Sequence, residues 1–173
     1  MKKFITAALM ALFITGCSSN FGLNPETSID NFDGSKVITL QPHGADCCIS
    51  VGALWTSKSP DYVELNLVTY AKYMNLETAE VKADKDVINL QALDTITKLE
   101  QMYPESTSVN MPTSTRGFAI SIADLRKLLA ANTSMIRITT LSDGSLTGTL
   151  KDGNKSSAAY FALQRFISQL PQK

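Results

Sequence analysis

Between Tyr62 and Tyr70 the chain alternates with a period of two, placing Val63, Leu65 and Leu67 on one side and Glu64, Asn66 and Val68 on the other. Successive side chains of a strand point to opposite faces, so this stretch predicts a strand with an apolar face. Such a strand needs partners at its edges and a cover for that face, which commits the chain to a sheet packed against another layer. The cover is legible near the C-terminus. After Ser157, the residues Ala159, Leu163, Phe166, Ile167 and Leu170 recur at helical spacing, and Pro171 stops anything beyond. A second helix is predicted from Ser121, whose hydroxyl suits an N-cap. Asp124 lies beside its positive end, Ile122, Leu125, Leu128 and Leu129 form its stripe, and Asn132 can end it.

Other strands follow from shorter patterns. Val37 to Gln41 alternates and Pro42 is expected to close it, and Ile49 to Leu54 forms a second strand. Ala79 to Ala83 and Val87 to Gln91 pair across Asp84-Lys85-Asp86. Met135 to Leu141 and Ser145 to Lys151 flank Asp143-Gly144, a signal for a two-residue hairpin turn. Leu93 to Met102 satisfies both periods, and Asp94, Lys98 and Glu100, poor strand residues, tip it towards a helix. Tyr103 to Gly117 is rich in Ser, Thr and Pro, which predicts a long surface loop or hinge and marks 103–117 as a possible sub-boundary. The fold class expected is α+β: a mainly antiparallel β-sheet with two C-terminal helices packed on one face.

The first residues carry a different message. Met1-Lys2-Lys3 is basic, Phe4 to Ile14 is an apolar run of about eleven residues, and Thr15-Gly16-Cys17 follows. That run is well short of the roughly twenty residues needed to span a bilayer. The run Ile14-Thr15-Gly16-Cys17 resembles the lipobox of bacterial lipoproteins: an aliphatic residue, two small ones and an obligatory Cys. The resemblance implies that signal peptidase II removes residues 1–16 and that Cys17 carries lipid on its thiol and on its new amino group. Ser18 and Ser19 stand where, in that family, an Asp tends to retain the protein in the inner membrane. They imply the outer membrane, with the body facing the periplasm. Two or three acyl chains make such an anchor stable, since each buried CH₂ contributes about 0.8 kcal/mol.

Cleavage would leave 173 − 16 = 157 residues, a comfortable size for one domain. Residues 17–34, rich in Ser, Asn, Asp and Gly, are expected to be a flexible tether, and 35–173 a single domain. Without Lys2 and Lys3 the chain has 14 basic and 16 acidic residues, a net charge near −2. No cationic excess exists to neutralise phosphates, which argues against nucleic acid as a partner and against attachment to anionic lipid by charge alone.

An exported chain meets oxidising conditions, and beyond Cys17 the only cysteines are the neighbours Cys47 and Cys48. Their Cα atoms, about 3.8 Å apart across a trans peptide, are closer than the usual disulfide range of about 4.4–6.8 Å, so a bond between them would be strained. The only histidine, His43, precedes them in His43-Gly44-Ala45-Asp46-Cys47-Cys48, a set that could also hold copper(I) or zinc. Small buried thiols are the reading preferred here, with no metal and no cofactor. The segment Cys47-Cys48-Ile49-Ser50 is similar to one in some periplasmic maltose-operon-type proteins and implies nothing further.

Hydrolytic chemistry has little support. His43 lacks a Gly-x-Ser-x-Gly partner, and the carboxylates Glu77, Glu80, Asp84 and Asp86 lie in charged, turn-like stretches that suit solvated surface. Trp55, Tyr62, Tyr70, Tyr73 and Tyr103 are candidates for a binding surface or for the β core, and Tyr160, Phe161 and Phe166 for helix packing. The expectation is a non-catalytic envelope lipoprotein acting as an interaction or assembly module. Its membrane contact runs through Cys17, and its partner is another envelope protein or a glycan. The alternative is a periplasmic redox or soft-metal-handling protein using His43, Cys47 and Cys48.

Overall fold

The alternating segment 62–70 forms a strand flanked on both sides, and the sheet grows outward from it. A computed structural model describes residues 22–46, 48–93, 96–102 and 111–171. The first elements are β1 (Glu26–Ile29), β2 (Lys36–Asp46), β3 (Ile49–Thr56) and β4 (Tyr62–Tyr70). They are followed by β5 (Leu76–Ala83), β6 (Asp86–Ala92), β7 (Lys98–Met102) and β8 (Met111–Ser121). Helix α1 (Ile122–Ala130), β9 (Thr133–Thr140), β10 (Gly144–Asp152), β11 (Lys155–Ser156) and helix α2 (Ala158–Ser168) complete the order. The strands make one open sheet in the order β1-β2-β3-β4-β8-β6-β5-β9-β10-β11, with β7 also on β8, and every pairing is antiparallel. The fold is therefore mostly antiparallel sheet with two helices.

Strand β6 turns the corner. Asp86 pairs with Ala83, and pairing with β5 runs on to Leu90. Gln91 and Ala92 then pair with Ala119 and Phe118 of β8. Arg116 of β8 reinforces the bend by donating through Nη1 to the carbonyls of Leu76 and Glu77 on β5, with its guanidinium carbon 5.7 Å from the Phe118 ring centre. The sheet coils far enough for β10 to meet β2 and β3. Gly148 lies against this contact: a Cβ there would sit 3.3 Å from the Ala45 Cβ and 3.4 Å from Ile49 Cδ1. Side chain-free backbone is what lets the two ends of the sheet approach.

One apolar cluster fills the interior. Val63, Leu65 and Leu67 are fully buried as their alternation requires, together with Ile38, Ile136, Ile138 and Phe118. Helix α2 contacts β2, β3 and β10, and α1 contacts β5, β8 and α2. Both caps form as expected, with the hydroxyls of Ser121 and Ser157 accepting from the amides of Asp124 and Tyr160. Ala159, Leu163, Phe166 and Leu170 are buried and Ile167 is half-buried.

Several expectations are corrected. Lys98–Met102 is a strand rather than the end of a helix, because pairing with β8 outweighs the weak propensity of its charged residues. Residues 111–117 belong to β8, which pairs with β4 along its length. Only 103–110 of the anticipated loop lie outside the described residues. Pro42 does not close β2, since it sits in a bulge between Leu40 and His43 where the register shifts and no ladder amide is needed. Gly52 of β3 lies beneath that bulge, where a Cβ would come within 2.9 Å of the Leu40 carbonyl oxygen. The β9–β10 turn has three residues, Leu141 to Asp143, before Gly144 takes a left-handed φ of 74°. Finally, α1 ends at Ala130, earlier than Asn132.

Candidate functional site

The stretch expected to be a loose tether is ordered from Gly22. Leu23 is half-buried against the core, Pro25 is buried, and Glu26–Ile29 pairs with Lys36–Thr39 of β2. These residues make a strap along the outer edge of β2. Three polar contacts fasten it: His43 Nε2 donates to the Gly22 carbonyl at 2.8 Å, Arg165 Nη1 to Asn24 Oδ1 at 3.1 Å, and Thr27 Oγ1 to Gln169 Oε1 at 3.2 Å. The first comes from β2 and the others from α2 and its C-cap. The strap thus occupies the seam between the sheet edge and the helix. It covers the row of unpaired amides and carbonyls that an edge strand would otherwise offer to other chains. The described part of the strap begins at Gly22, five residues after Cys17 in sequence (22 − 17 = 5).

The turn at the far end of the strap is a tight one. Asn31 to Gly34 links β1 to β2, with the Gly34 amide on the Asp30 carbonyl and the Phe32 amide on Asp30 Oδ1. Asp33 accepts from the Ser35 amide and pairs with Lys58, which holds its carboxyl down at about 2. Phe32 stands almost wholly in solvent at the tip.

His43 therefore has a structural partner. Because it faces a carbonyl, Nε2 carries the proton, leaving only Nδ1 as a possible ligand atom. Cys48 is half-buried in the turn after β2, between the buried Ala45 and Ile49. Cys47 lies outside the described residues, as does any bond it would make with Cys48, and so does Cys17. Among the described residues, no three of His, Cys, Asp and Glu gather closely enough to hold a metal ion.

Three of the four acidic candidates, Glu80, Asp84 and Asp86, make contacts between elements of the fold. Glu80 pairs with Arg137 across β5 and β9 at 2.8 Å, and Asp86 with Lys127 of α1 at 2.8 Å. Asp84, at a left-handed φ of 52°, accepts from the Thr133 amide and so ties the β5–β6 turn to the start of β9. Glu77 is exposed. A groove of about 290 Å³ crosses the sheet surface beside Leu54, Tyr62, Glu64, Gln91, Leu93 and Ala119, mostly apolar and with a single carboxylate.

The aromatic residues divide. Trp55 is buried and donates to the Pro60 carbonyl, and Tyr160 is buried with its hydroxyl on the Leu129 carbonyl. Tyr62 and Tyr73 are exposed and Tyr70 is half-buried. Phe161, expected to pack, stands half in solvent beside the Tyr160 ring. Tyr103 lies outside the described residues.

Two groups escaped the sequence reading. Leu23 and Pro25 were hidden in a stretch whose overall composition is that of a linker, although the pair of spaced apolar residues was a signal. Ile96, Leu99 and Leu141, apolar residues that the sequence reading assigns no role, are exposed around the end of the sheet. Compared with protein families, with characterised proteins and with solved structures, the chain matches none.

Proposed function

We propose that this chain is a non-catalytic lipoprotein of the bacterial cell envelope, held at the outer membrane through lipid on Cys17, with its folded body facing the periplasm as an interaction or assembly module. The observation that carries the reading is the run Ile14-Thr15-Gly16-Cys17 behind a basic start and a short apolar stretch. The strap supports it. Leu23, Pro25 and β1 fasten the chain to the body just after the anchoring position, so a lipid on Cys17 would hold the whole domain and not a loose tail. The contacts that His43, Glu80, Asp84 and Asp86 make between elements of the fold also favour a scaffold over an active site. In this reading both helices close one face of the sheet, leaving its other face and its two ends for partners.

Cys17→Ser tests the anchor. The wild-type chain is expected to take up labelled palmitate and to fractionate with membranes. The variant should take up none, and either keep its first sixteen residues or appear in the soluble periplasmic fraction. Undiminished palmitate in the variant overturns the reading.

A further inference from the structure

One end of the sheet carries a group of exposed apolar side chains, and it is the end at which the strap begins. Ile49, the first residue of β3, pairs with Thr69, and Tyr70 pairs with Thr113, so the β2–β3 turn and the β4–β5 link share that end. The link is drawn together with three neighbours. The Met74 amide donates to Ser114 Oγ at 2.8 Å, Thr97 Oγ1 to Asn75 Oδ1 at 3.0 Å, and the Leu141 amide to the Asn75 carbonyl at 3.0 Å. Lys72 of the link pairs with Asp143 of the β9–β10 turn. Around Asn75, four large apolar side chains stand out into solvent: Ile96 at 70% exposure, Leu141 at 65%, Leu99 at 56% and Tyr73 at 45%. A soluble surface tolerates such residues singly, but four gathered on one rim mark a contact surface.

The position of the N-terminal chain says what that surface meets. Gly22 is held by His43, which pairs with Val51, two residues from the end of β3. The five steps from Cys17 to Gly22 reach at most about 18 Å, at roughly 3.3–3.6 Å each. A lipid on Cys17 therefore keeps this end of the sheet close to the bilayer, whatever path residues 18–21 take. We propose that the rim formed by Tyr73, Ile96, Leu99 and Leu141 docks onto the surface of the anchoring bilayer, its side chains lying in the headgroup layer. This rests on the lipid-anchor reading. Tyr73 suits the position, as amphipathic rings favour the membrane–water boundary. Lys72 pairs with Asp143, Lys98 and Glu100 carry opposite charges, and Asp46 adds one negative charge, so this end has no cationic excess and the surface fits zwitterionic lipid. At the opposite end, Phe32 is 97% exposed. The seven steps along β2 from His43 to Lys36 place it about 23 Å away at roughly 3.3 Å each, beyond the 5–10 Å that an interfacial side chain enters.

Tryptophan placed at each end reads this orientation, because Trp55, buried in the core, is the chain's only native tryptophan. The full lipidated chain, as wild type, Leu141→Trp, Leu99→Trp and Phe32→Trp, is reconstituted in phosphatidylcholine vesicles with brominated acyl chains, after each has been checked for palmitate. The wild-type signal is subtracted. Emission added at positions 141 and 99 should be quenched severalfold more than emission added at position 32, with no change on raising the salt. If palmitate is present and position 32 is quenched as much as 141 and 99, or if none is quenched, the docking proposal falls while the anchor stands. If no palmitate is found, the anchor reading fails and takes the docking proposal with it.

Discussion

Phe166→Ala should lower the stability of the folded domain by about 3–5 kcal/mol, the range for removing a large side chain from a packed core. Phe166 is fully buried on α2, in the same cluster as Leu163, Ile38 and Ile136. The lost benzyl group leaves a cavity between helix and sheet that neighbouring side chains can only partly refill. A typical domain is stable by only about 5–15 kcal/mol, so the loss is a large share of the total. Gln164, two residues earlier, is exposed and donates to the Tyr160 hydroxyl at 2.9 Å. Gln164→Ala gives up that surface bond and should cost no more than about 1 kcal/mol. Urea melts of the two variants compare the faces of α2 directly. Equal losses, or a greater loss at Gln164, would contradict the packing of this helix.

Phe118→Ala should be as costly, again about 3–5 kcal/mol, and it probes the part of the fold least visible in advance. Phe118 is fully buried in β8, opposite Leu65 of β4 on one side and Ala92 of β6 on the other, with the Arg116 guanidinium near its ring. If 103–117 were a hinge between two independent halves, the variant would unfold in two steps, its N-terminal half unaffected. In one sheet with β8 between β4 and β6, the whole domain should lose stability together in a single shifted transition. Tyrosine fluorescence and far-ultraviolet circular dichroism, followed through the same melt, distinguish the two. Coincident curves are expected, and separated midpoints would contradict the single sheet.

The elements read correctly from sequence are those in which local signals agree with tertiary demand. Ser121 and Ser157 cap helices whose stripes face the core, and Val63, Leu65 and Leu67 alternate inward. Where local chemistry and long-range pairing disagree, pairing prevails. Lys98 and Glu100 favour a helix by themselves, but β8 offers them a ladder, and the cost of their propensities is small beside the hydrogen bonds gained. Pro42 is a stop signal only in a regular strand, and a bulge removes the need for its missing amide. Neither the bulge nor β8 as a pairing partner is written near those residues in the chain.

The candidate site was legible by halves. The lipobox-like run proposed to end at Cys17 is contiguous in sequence, which is why that resemblance reads directly. The strap does not, because its function depends on contacts with β2 and α2 that are distant in sequence: Asn24 meets Arg165 and Thr27 meets Gln169. His43 enters the metal-handling alternative because imidazole beside two thiols has that chemistry. Its hydrogen bond to Gly22, which fastens the strap, is a contact that no local motif announces. The rim residues Ile96, Leu99 and Leu141 show the converse difficulty. Apolar identity suggested burial, but an apolar side chain at a strand end or in a three-residue turn can equally face a second surface.

Whether Cys17 carries lipid is decided by the intact mass of the protein extracted from membranes. The expected mass is that of residues 17–173 plus a diacylglycerol and an amide-linked acyl chain, with both modifications on the peptide that begins at Cys17. A mass matching the unmodified chain from Met1, or a cleaved chain without lipid on Cys17, would contradict it.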